Sequence, residues 1–100
     1  MPYLRVSVAT WKLDLQTAEG QALIQRSRDE GVPLLRRLPG FIRYQAASTG
    51  PRTTVQVFEW ESEGQALTGA ERFTEWMQQS GISQQLESLA VHLGEVIAAS

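Results

Sequence analysis

The sequence predicts an α+β domain with the element order β-α-β-β-α-β, on three observations. Short stretches of period-two apolar alternation open and close the chain, the signature of half-buried strands. Between them lie two segments bounded by helix-start and helix-stop residues, with an aromatic and β-branched hairpin separating them. Finally, Glu19-Gly20-Gln21-Ala22-Leu23 recurs as Glu63-Gly64-Gln65-Ala66-Leu67. Both copies open a helix that follows a strand, where a duplicated β-α-β unit would put them. One hundred residues suit a single domain spanning 1–100.

Each element has its own local signal. Residues 3–13 contain Leu4, Val6 and Val8 alternating with Arg5 and Ser7, which reads as the first strand. Asp14 or Thr17 then caps a helix with Glu19 in its first turn, running to about Gly31. Pro33 is unsuited to a helix interior, so Val32 to Leu38 reads as a kinked continuation or a separate short helix. Pro39-Gly40 ends the helical region, and Phe41 to Ala47 forms the second strand. A turn over Ser48–Arg52 leads into the third strand, Thr53 to Trp60. Ser62 starts the second helix with Gln65 at capping-box spacing. Ala66, Ala70, Phe73 and Met77 give that helix an apolar stripe, and Ser80-Gly81 stops it. The last strand, Leu89 to Ile97, alternates Leu89, Val91 and Leu93 with Ala90, His92 and Gly94.

The element order describes a ferredoxin-like sandwich, a four-stranded antiparallel sheet with two helices on one face. Phe58 and Trp60 face one side of their strand while Val55 and Val57 face the other. A sheet that is apolar on both faces needs a second cover. Pairing sheet to sheet with another copy would supply it, as a homodimeric α+β barrel.

Composition removes several function classes. A net charge of −2, with arginines scattered or matched by acids, argues against nucleic acid as a partner. Arg36-Arg37 is the densest basic pair and reads as a solvated helix end. The chain has no cysteine, which excludes disulfides and thiolate chemistry, and its one histidine cannot build a metal site alone. No glycine-rich phosphate loop follows a strand, so no nucleotide cofactor is indicated. The absence of a leader pattern or a spanning apolar segment gives a cytoplasmic, membrane-free protein as the expectation.

Pro39-Gly40-Phe41 before the second strand, and Trp60-Glu61-Ser62 where the third strand meets the second helix, resemble motifs of the antibiotic biosynthesis monooxygenase-like family. The resemblance covers nearly the whole chain and implies the dimeric α+β barrel fold. Both motifs also have purely structural reasons: a helix stop, a helix start and a core indole. The family includes cofactor-free oxygenases of quinol- and anthrone-type aromatics, which implies a monooxygenase-like activity on a small aromatic or polyketide-type substrate. It also includes haem-degrading enzymes. Both groups are described with a pocket Trp and an Asn. Trp60 matches the former, and this sequence contains no asparagine. Haem degraders also use a histidine on the second helix, and residues 63–79 hold none.

No cofactor is therefore expected. The candidate pocket residues are Trp60, Tyr44, Phe58 and Trp76, with Tyr44 and His92 as the catalytic candidates. Trp60 would wall the pocket, Tyr44 would hydrogen-bond a substrate oxygen, and His92 would shuttle a proton near neutrality. Each also has a structural reading, as core or interface packing. Arg72 and Trp76, four residues apart, suggest a surface stacking contact. Gly20, Ser27 and Gly31 either leave room under the first helix or let it pack closely. The alternative function is a non-catalytic dimeric barrel that binds a small hydrophobic molecule or serves an accessory role.

Overall fold

In the computed structural model, which describes residues 1–100, β1 (Tyr3–Trp11) leads to α1 (Ala18–Arg26), a π-helical turn (Ser27–Gly31) and α2 (Val32–Arg36). Then follow β2 (Phe41–Gly50), β3 (Thr53–Trp60), α3 (Glu63–Gln79), a 3-10 turn (Ile82–Gln85) and β4 (Leu86–Glu95). The strands form one antiparallel sheet in the order β2-β3-β1-β4, the ferredoxin-like arrangement. No helix is long and apolar enough to cross a membrane.

The caps act as their residue types predict. Thr17 Oγ accepts from the Gly20 N–H at 3.1 Å, so Thr17, not Asp14, caps α1. Ser62 Oγ accepts from the Gln65 N–H at 3.3 Å, and Gly81 follows α3 with φ +82°. The helical stretch between Ala18 and Arg36 does not break at Pro33. Proline has no N–H and its ring crowds the carbonyl four residues back, here that of Asp29. The chain answers by widening one turn: the Val32 N–H bonds the Ser27 carbonyl, five residues earlier.

Two strand boundaries move outward. β2 continues to Gly50, leaving only Pro51 and Arg52 as the turn. That tip is fastened to the end of β1. The Trp11 N–H donates to the Arg52 carbonyl at 2.7 Å, and Arg52 Nε donates to the Trp11 carbonyl at 2.8 Å. β4 starts at Leu86, because the preceding turn delivers the chain directly to the sheet, and stops at Glu95. Ile97 therefore lies beyond the sheet, 91% exposed.

Register decides what each face carries. Across the helix-covered face run Leu93–Arg5–Phe58–Tyr44, then Val91–Ser7–Gln56–Ala46, then Leu89–Ala9–Thr54–Ser48. The alternating apolar set of β1, Leu4, Val6 and Val8, lies on the opposite, open face beside Val55 and Val57. Alternation reveals that two faces exist; it does not say which one the helices take. Beneath the helices, buried residues gather in two separate clusters. One holds Ala9, Trp11, Leu15 and Ile82, the other Leu35, Phe58, Trp60 and Ala66.

Candidate functional site

Between sheet and helices lies a cavity of about 510 Å³, inside the range of roughly 300–1,000 Å³ usual for small-molecule pockets. Its floor is the middle of the helix-covered face. Leu23, Ile24 and Ser27 close it from the α1 side, and Phe73, Trp76 and Met77 from α3. The widened turn contributes directly, since Ser27 and Arg28 belong to it and Val32 follows it.

The floor is polar at its centre and aromatic at one end. Ser7 Oγ donates to Gln56 Oε1 at 2.8 Å, Gln56 Nε2 donates to Thr54 Oγ1, and Trp11 Nε1 donates to the same hydroxyl at 3.0 Å. This chain satisfies Ser7, which is 3% exposed, and holds Gln56 in one orientation. At the aromatic end, the Tyr44 ring packs on Phe58 with centroids 4.8 Å apart, and Phe58 meets Phe73 edge-on at 5.4 Å. Burial raises the Tyr44 phenol above its ordinary value of 10.0. At neutral pH Tyr44 is thus a hydrogen-bond donor, not a base. The Arg5 guanidinium lies over the Phe58 ring, 5.2 Å from its centroid, and burial lowers its pKa.

Three of the sequence-predicted pocket residues, Tyr44, Phe58 and Trp76, meet at this cavity. The hairpin register places Tyr44 on the same face as Trp60, with Arg43 on the other, where it pairs with Glu59 at 3.2 Å. Trp60 nevertheless does not line the cavity. It is 1% exposed beneath the start of α3, edge-on to Phe41 at 5.5 Å, and its indole N–H has no acceptor. Gly69 allows this position, because a Cβ there would collide with the indole Cη2. Trp60 is therefore core, one row beyond the pocket floor.

His92 is also separate from the cavity. It sits opposite Val6 on the open face, exposed to solvent. The expected stack of Arg72 on Trp76 does not form. Arg72 pairs with Glu75 at 3.6 Å, while Trp76 packs on Phe73 and its Nε1 donates to Glu30 at 3.4 Å. Gly31 lets Trp76 approach α1, since a Cβ there would lie 3.0 Å from the indole. Gly20 serves close packing against Asp14 and Leu15, and Ser27 alone of the three small residues borders the cavity.

Sequence reasoning missed Arg5, Ser7 and Gln56. They are the polar members of alternating strands and read as solvent-facing until register puts them under the helices. No three His, Cys, Asp or Glu side chains converge as metal ligands.

No protein-family model and no curated protein matches the chain. Solved structures do match it over nearly its full length. SnoaB, a cofactor-independent oxygenase from Streptomyces nogalater, superposes with a TM-score of 0.73 at 14% identity, covering 98% of this chain and 95% of that one. A monooxygenase from Streptomyces coelicolor, ActVA-Orf6 in complex with nanaomycin D, gives 0.74 at 18% identity, with 98% and 89% covered. A dimeric ferredoxin-like protein from an uncultured marine organism gives 0.74 at 14% identity, with 99% and 90% covered. The chain has the ferredoxin-like fold of the antibiotic biosynthesis monooxygenase-like proteins that its Pro-Gly-Phe and Trp-Glu-Ser motifs resemble.

Proposed function

We propose that the chain binds a small, flat aromatic or polyketide-type molecule between its sheet and helices and oxygenates it without a cofactor. The observation that carries this reading is the cavity itself, with an aromatic end where the ring of a neutral tyrosine packs beside two phenylalanines. The shared fold with two oxygenases supports it. In such a reaction the substrate supplies the electrons. An activated CH₂ becomes C=O, one atom of O₂ enters the product, and the other leaves as water. The protein's part is to hold the substrate away from bulk water and to donate a hydrogen bond to the oxygen whose charge grows as a proton leaves. In this reading Tyr44, which lines the cavity, makes that donation.

A second reading, a binding barrel without turnover, has one specific observation in its favour. No histidine or carboxylate lines the cavity, so none of its side chains has an ordinary pKa near neutrality. Oxygen uptake by the purified protein with a panel of anthrones and quinols separates the two. Catalysis predicts uptake above background that drops by about a hundredfold or more in Tyr44→Phe, a typical loss for one donor to a developing oxyanion. Because burial raises Tyr44, its donation should persist up to pH 10 and fade only as pH climbs beyond that. Substrates that bind without any uptake would establish the binding reading.

Two copies are proposed to pair through their open faces. Leu4, Val6, Val8, Val55 and Val57 form an apolar patch there, with Val8 43% exposed in the single chain. An apolar sheet face of this kind is best covered by its own equivalent, and ferredoxin-like structures of the same fold are dimeric.

A further inference from the structure

We propose that the cavity is built for an organic anion: an apolar body carrying one ionised group, received by Arg5. This names the ligand class of the pocket proposed above and rests on that reading. Arg5 points from the centre of the sheet into the helix-covered space, on the row it shares with Phe58 and Tyr44. None of the chain's four ion pairs includes it, and its side chain makes no hydrogen bond within the protein. Its guanidinium carbon lies 5.2 Å from the Phe58 ring centroid, and its five N–H donors have no acceptor within the protein.

Charge distribution strengthens the case. Acids outnumber bases in this chain, 11 to 9, yet no Asp or Glu lines the cavity, while two arginines, Arg5 and Arg28, do. A half-buried cation without a counter-charge is costly in an apolar site, and burial lowers its pKa. A ligand that brings the missing negative charge removes that cost. A neutral ligand of the same shape does not. The guanidinium's flat fork also suits a carboxylate, sulfonate or ionised phenol better than a point charge would.

The test uses two fluorescent probes with a common skeleton, anilinonaphthalene sulfonate and the uncharged N-phenylnaphthylamine, titrated into the full chain. The proposal expects the sulfonate to bind about tenfold or more tightly than the neutral probe, as one charge-assisted contact predicts. Arg5→Met should abolish that preference, so that the sulfonate binds no more tightly than the neutral probe. Arg43→Met, on the open face, should leave the preference intact. Equal affinities in the wild type, or a preference that survives Arg5→Met, would overturn the anion assignment while the pocket stands. Failure of both probes to bind would overturn the pocket and the anion assignment together.

Discussion

Trp60→Ala should lower the unfolding free energy by about 3–5 kcal/mol, the usual cost of emptying a fully buried aromatic site. Trp60 joins Leu35, Phe58 and Ala66 in a core with almost no solvent access, so the neighbours have little freedom to collapse into the space. Gly69→Ala attacks the same contact from the helix side. Its new methyl would collide with the indole, and overpacking of this kind costs about 1–3 kcal/mol. The two changes should not add. Once the indole is gone the methyl has room, so the double variant should be more stable than the sum of single losses predicts. Urea or thermal denaturation of the four proteins measures this cycle. Additive losses would show that Gly69 is glycine for some reason other than Trp60.

Val57→Glu should convert the proposed homodimer to a folded monomer. Val57 sits at the centre of the open face, directly opposite Val6 in the register. In a sheet-to-sheet dimer with two-fold symmetry each copy would bury one new carboxylate, so a single substitution places two uncompensated charges in the interface. The dimer dissociation constant should rise by about a hundredfold or more, which corresponds to roughly 3 kcal/mol. Light scattering or sedimentation across a concentration series reads the change, and circular dichroism checks that the monomer keeps its fold. A wild-type chain that is monomeric at micromolar concentration would contradict the pairing outright. So would a Val57→Glu protein that dimerises as well as the wild type.

The fold was legible in the sequence because its punctuation is strong. Thr17, Ser62, Gly40 and Gly81 each perform a cap or turn role that their residue type predicts. The aromatic and β-branched run from Thr53 to Trp60 is a strand with the limits read for it. Pro33 marks the start of the short continuation read there, α2 beginning at Val32, and the chain accommodates the proline by widening the turn before it. The site was only partly legible. Tyr44 and Trp76 could be singled out by type, but a lone tryptophan or histidine gives no sign of the face it occupies. Trp60 and His92 therefore looked like pocket residues, and one is core while the other lies across the sheet. Arg5 and Gln56 had the opposite fate. Their burial depends on a pairing register between strands about fifty residues apart, which no local pattern encodes.

Whether ligands enter the space between sheet and helices can be read by amide chemical-shift mapping with a bound anthrone or naphthalene-type probe. Entry there should concentrate the largest perturbations at Arg5, Ser7, Tyr44, Gln56, Phe58 and Trp76. Perturbations that cluster instead at Val6, Val57 and His92 would place the ligand on the open face and contradict it.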